Sequence, residues 1–166
     1  MKTTSSFHCP GVVLTMVCLC VSNLAQAVTA AGQQTVRAKV NPSCTMALGT
    51  ALAFGNLILS PTLNVVQKDA NGTFTVTCTN GTNYTLAVGD GDYYSGGRRM
   101  ANGSGQYLGY QLHMFATRNS LIPSGFTASF TSNGSAATFT MYGRVPAQTA
   151  TTPGNFTDAV TFTITY

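Results

Sequence analysis

Thr73-Phe74-Thr75-Val76-Thr77-Cys78-Thr79 alternates without a slip. Phe74, Val76 and Cys78 fall on one face and four threonines on the other, the pattern of a strand half buried in a sheet. Asn80-Gly81 comes next as a turn signal. Tyr84, Leu86 and Val88 form the next alternating run, closed by Gly89-Asp90-Gly91-Asp92. Leu108, Tyr110, Leu112 and Met114 read as a further strand, and residues 137–142 as another, with Phe139 and Met141 on one face. Val160, Phe162, Ile164 and Tyr166 make the last, opposite Thr161, Thr163 and Thr165. Residues 44–54 are a less regular strand region. No segment carries a persuasive helical period, and Asn-Gly punctuation recurs at 71–72, 102–103 and 133–134. Many short strands with this punctuation indicate an all-β sandwich or barrel.

The N-terminus has the layout of a secretory signal peptide. Lys2 precedes a largely apolar run over residues 11–24, and Ala25-Gln26-Ala27 fits a small-x-small cleavage pattern. The apolar run is short for a membrane span and lacks a basic stop-transfer flank. Removal of residues 1–27 takes Cys9, Cys18 and Cys20 away and leaves Cys44 and Cys78. An even pair in an exported chain reads as a disulfide. Charge is scarce: 7% of residues are Asp, Glu, Lys or Arg, and the formal net charge is +4. The basic residues are scattered, whereas a nucleic-acid surface needs a dense basic stripe.

The residue types for catalysis are thin. Beyond residue 27 there is one histidine, His113, expected on the polar face of a strand in a surface or cross-strand role, and no glutamate. Asp90 and Asp92 are the only close carboxylate pair, and their glycine-rich setting reads as a turn rather than an acid–base or calcium site. No serine lies in a nucleophile elbow. The sequence is expected to have no catalytic residues, no metal, no cofactor and no small-molecule substrate. Tyr93-Tyr94 and Arg98-Arg99 are compatible with a stacking or sugar-binding surface, and an ordinary exposed turn is the stronger expectation.

The remaining feature is an edge. The sequence runs to Tyr166 inside a strongly alternating strand, and an open hydrophobic edge strand is expected to need cover. Before Cys44 lies an arm in which Val36, Ala38 and Val40 alternate with Arg37 and Lys39. Pro42 separates the arm from Cys44 and the strands beyond it. Such an arm has the period to fill the gap in a second molecule by β-strand addition. A head-to-tail contact of that kind does not close on itself and makes a filament.

The chain resembles the spore coat protein U family, which includes archaic chaperone–usher pilins of Gram-negative bacteria. The resemblance rests on Cys44, on Phe54-Gly55, and on the run from Gly72 to Cys78. It continues through Arg99-Met100, Leu108-Gly109-Tyr110-Gln111-Leu112 and Tyr142-Gly143-Arg144-Val145-Pro146-Ala147. It ends with the run from Gly154 to Tyr166, in which Phe156 stands where the family pattern has tyrosine. The resemblance implies an incomplete immunoglobulin-like β-sandwich lacking its final strand, completed by a donor strand from a neighbouring subunit. It also implies a periplasmic chaperone, an outer-membrane usher, export to the cell surface, and roles in adhesion and biofilm formation.

The expected organisation is a signal peptide over 1–27, a donor-strand arm over 28–42 and a pilin domain over 43–166. Val36, Ala38 and Val40 are the donor residues, Val160, Phe162, Ile164 and Tyr166 the acceptor edge, and Cys44–Cys78 the bridge. Copies of the same chain or related pilins are the expected partners. The alternative is a secreted single-domain β-sandwich that serves as a coat or as a carbohydrate-binding, adhesive module.

Overall fold

The structure is a computed structural model that describes residues 28–149 and 152–166. The expected signal peptide lies outside the described residues. The chain divides into two units, the second being Lys39–Tyr166. Residues 28–43 carry no regular secondary structure, and all of them are exposed.

The second unit is all β. Its strands in chain order are β1 (Cys44–Leu48), β2 (Asn64–Val65), β3 (Lys68–Cys78), β4 (Asn83–Val88), β5 (Arg99–Ala101) and β6 (Tyr107–Gly109). Then come β7 (Gln111–His113), β8 (Thr127–Thr131), β9 (Ala137–Val145), β10 (Gln148–Thr149) and β11 (Phe162–Thr165). One sheet has the order β1-β3-β9-β7 and a second the order β11-β4-β8; β10 pairs with β2, and β5 with β6. Every ladder is antiparallel.

The two larger sheets face each other across a core of aromatic rings. Phe162 of β11 lies 4.6 Å from Phe74 of β3, centroid to centroid. Phe130 of β8 lies 5.1 Å from Phe139 of β9. Phe74 and Phe139 are opposite partners in the β3–β9 ladder and stack at 5.2 Å. Hence β11 rides over β3 and β8 over β9. Val76, Leu86, Val88, Leu108, Leu112, Met141 and Val145 are among the other buried side chains. Each such side chain taken from water contributes roughly 1.5–3 kcal/mol. Gly143 has a packing reason: a Cβ there would meet Leu52 Cδ1 at 2.8 Å and the Phe54 ring at 3.0 Å. Residues 52–54 thereby pack flat on the inner face of β9.

Three sequence expectations need correction. Asn71-Gly72, expected as turn punctuation, lies inside β3 and pairs with Tyr142 and Met141, because the strand continues through the Asn-Gly pair along β9. The run over 108–114 is not one strand. Leu108, Tyr110 and Leu112 are all buried, so the alternation is real. The chain nonetheless changes partner at Tyr110: β6 pairs with β5, β7 pairs with β9, and the Tyr110 N–H bonds the Arg98 carbonyl. Periodicity reports which face is buried and is blind to which neighbour takes the hydrogen bonds. Of the two roles expected for His113, the surface one does not hold: the residue is buried, opposite Tyr142 in the β7–β9 ladder. Its face of β7 is covered by the loop after β7, which returns to bridge His113 through Leu121 and sends Arg118 back over Tyr142.

Candidate strand-acceptor site

The site begins with a mismatch in sheet width. β3 lies under β11, so β1, one strand further out, has nothing opposite it in the second sheet. Among the described residues no strand pairs with the outer edge of β1 or of β11. The result is an open lane, with β1 as its floor and the edge of β11 as its wall.

The ladders decide which side chains face this lane. Cys44, Met46 and Leu48 sit opposite Cys78, Val76 and Phe74. Opposite residues in an antiparallel pair share a face. All three β3 partners are buried, so the three β1 residues also point to the core side. Cys44 and Met46 are half-buried, yet Leu48 is 79% exposed. On the wall, Phe162 faces Val88 and Ile164 faces Leu86, and both partners are buried. Val160, Phe162 and Ile164 are themselves half-buried, and Tyr166 is 57% exposed. The expected acceptor residues therefore share one face, with an unpaired backbone edge beside them.

Sequence reasoning named the β11 wall and missed the β1 floor. The signal was present in the alternation Cys44, Met46, Leu48 directly after the arm. The Cys44–Cys78 disulfide forms between directly opposed residues, with Cα atoms 4.0 Å apart. It fastens the floor strand at one end.

The chain entering β11 is held by Asp158. One carboxylate oxygen accepts the Asp92 N–H at 2.8 Å and the other accepts the Tyr110 hydroxyl at 2.5 Å. Thr157 exchanges backbone bonds with Ala101. Gly91 has a positive φ, and a Cβ there would run into the Asp158 carboxylate. The Gly-Asp-Gly-Asp turn is thus a mount for the terminal strand. Burial and the hydrogen bond to Asp158 push the Tyr110 phenol far above its ordinary range.

The structure separates the two arginines of the Arg98-Arg99 pair. Arg98 is buried and donates to the Gly89 and Ile122 carbonyls and to Asp90, which also accepts from Ser124. Arg99 stacks at 3.8 Å on Tyr107, whose ring lies 6.2 Å from that of Tyr93.

The architecture is an immunoglobulin-like sandwich short of one strand. In that fold the sheets are A-B-E-D and C-F-G. β1, β3, β9 and β7 take the A-B-E-D places, and β4 and β11 take C and F. The place of G, beside β11 and opposite β1, is vacant. The chain belongs to the Spore Coat Protein U domain family, whose profile matches residues 30–163. No curated protein sequence matches it. Among solved structures it is similar to a chain of the CsuC–CsuE chaperone–tip adhesion subunit pre-assembly complex, from the archaic chaperone–usher Csu pili of Acinetobacter baumannii. The TM-score is 0.55 at 14% identity, over 76% of this chain and 40% of that one. The chain thus spans less than half the length of that relative.

Proposed function

We propose that the chain is a non-enzymatic structural subunit of a bacterial surface pilus, assembled by donor-strand exchange and supporting adhesion and biofilm formation. The observation that carries the reading is Leu48, a core-facing side chain left 79% exposed beside an unpaired strand edge. In this reading the vacant place is filled first by a strand lent by a periplasmic chaperone. An outer-membrane usher then oversees its exchange for the arm of the next subunit. The similar solved complex, a chaperone with a pilus subunit, supports those partners. Val36, Ala38 and Val40 are the donor residues; Val36 is 90% and Val40 94% exposed, which leaves them free for that role.

Direction decides whether such a contact grows. β3 runs into β4 through residues 79–82, and Cys44 lies at that end of the sandwich. The arm precedes Cys44 in the chain, so it is joined to the domain at that end. An arm inserted antiparallel to β11 carries its own domain beyond the Phe162 end, the opposite one. Unlike ends then meet, and the chain of subunits stays open. Parallel insertion would bring like ends together and let two arms exchange into a closed pair.

The test is deletion of residues 28–40 with the chaperone co-expressed. The truncated protein is expected to be secreted and folded and to form no fibres by electron microscopy. Normal fibres from it would reject strand exchange through this arm.

A further inference from the structure

We propose a specific register for the joint, one in which Val40 of the incoming arm caps Leu48 and Phe162, Ala38 sits at Ile164 and Met46, and Val36 sits at Tyr166. The proposal rests on the strand-exchange reading above, and the occupant is a second copy of this chain.

Two observations select it, and a third is compatible with it. The first is length. The regular part of the wall is Phe162–Thr165, with Phe162 and Ile164 facing inward and Tyr166 next in the alternation. The arm offers three inward apolar residues in a row, Val36, Ala38 and Val40. Two positions beyond them lie polar Gln34 on one side and Pro42 on the other. Proline has no N–H to give to a ladder. Setting Val40 on Phe162 places Pro42 opposite Val160, before the regular ladder of β11 begins, whereas a shift by two toward Tyr166 would set the proline on Phe162, inside that ladder.

The second is volume. Phe162 lies on Phe74, and Phe74 is opposite Leu48, so these three residues share one level. Leu48 is the least covered of the floor residues, and Met46 is already half-buried. The larger Val40 fits the open level and the smaller Ala38 the one already partly filled. A shift by two residues would put alanine where the gap is greatest.

The third is the outer face. In this register Arg37 lies beside Thr165 and Lys39 beside Thr163, and both threonines are exposed. Neither cation meets a like charge across the strand pair.

Paired cysteines in fibres distinguish the registers. Ala38→Cys with Ile164→Cys is expected to give a covalent ladder of subunits on non-reducing gels. Ala38→Cys with Phe162→Cys, the pair for the shifted register, is expected to give none. A ladder from the second pair alone overturns the register and leaves strand exchange standing. Intact fibres with no ladder from either pair likewise overturn the register. Should added cysteines impair folding, the heat resistance of fibres from Val40→Ala and Val36→Ala decides instead. Val40→Ala is expected to cause the larger loss, because it uncovers Leu48; an equal or smaller loss than Val36→Ala counts against the register.

Discussion

Leu48 and Phe74 are directly opposite in the β1–β3 ladder and point the same way, yet Phe74 is 1% exposed and Leu48 79%. The difference comes from the second sheet. Phe162 covers Phe74, and among the described residues no strand extends far enough to cover Leu48. Two neighbours in one ladder therefore mark the last filled and the first unfilled place of the sandwich.

A charge at either partner of the joint is expected to block assembly. Val36→Asp would carry a carboxylate into an apolar lane with no counter-ion, a cost far above that of any surface change. Leu48→Asp would do the same from the floor. Arg37→Asn leaves the inward face intact and is expected to assemble normally. Electron microscopy and heat-resistant oligomers on gels are the measurements. Equal behaviour of Val36→Asp and Arg37→Asn would remove the alternating arm as the donor.

Loss of the disulfide is expected to weaken the subunit before it reaches a fibre. Cys44 and Cys78 close a loop of 34 residues, for which the chain-entropy account gives about 3–4 kcal/mol. Among the described residues β1 pairs with β3 alone, so the bridge also fastens the floor of the lane. A paired Cys44→Ser, Cys78→Ser variant is expected to unfold at markedly lower urea than the parent. Unchanged midpoints would show that the ladder alone holds β1.

The alternating inward faces of β4, β11 and the second half of β3 were legible in the sequence, because period two is a direct image of a half-buried sheet. The disulfide was legible from the count of cysteines left in an exported chain. The floor of the lane was not, since Leu48 differs from Phe74 only in what lies across the sandwich. His113 was misplaced for a related reason: nothing in the local pattern shows that the loop after β7 folds back over its face. The engagement of Asp158 with Tyr110 and Asp92 was also hidden, because 48 and 66 positions separate the partners.

The Tyr110–Asp158 bond is expected to matter more than a surface contact. Tyr110 is buried, and its hydroxyl reaches the carboxylate that also holds the Asp92 N–H. Hydrogen bonds to charged groups contribute about 1.5–3 kcal/mol. Tyr110→Phe keeps the ring and removes only that bond, so a loss of this order in urea unfolding is the expected result. Because Asp158 leads into β11, amide exchange over residues 162–165 should accelerate as well. A loss of stability with unchanged exchange there would confine the bond to the core and remove it as a mount for the strand.

Acid is expected to act through His113. The ring is buried on the far side of the first sheet from the lane, and neither ring nitrogen makes a well-formed hydrogen bond. Burial holds its pKa below the ordinary 6.5, and the charges of Arg144 on β9 and Arg118 on the covering loop act the same way. Asp69 on β3 and the Ser120 backbone oppose them and do not prevail. The folded state therefore favours the neutral ring, and unfolding takes up a proton. Linkage then fixes the sign: this stability is fully present above about pH 6.5 and is lost as the pH falls toward the folded-state value. Asp69 titrates in a separate window. Its bond to Arg144, chiefly, holds its carboxyl below 3.8, so its contribution is kept until the pH falls below that value. Urea unfolding at pH 7.5 and 5.5 separates the two groups. The parent protein is expected to lose stability over that interval. His113→Leu, which has no proton to gain, is expected to lose much less. If both chains fall by the same amount, the acid sensitivity comes from elsewhere in the fold and His113 is only packing.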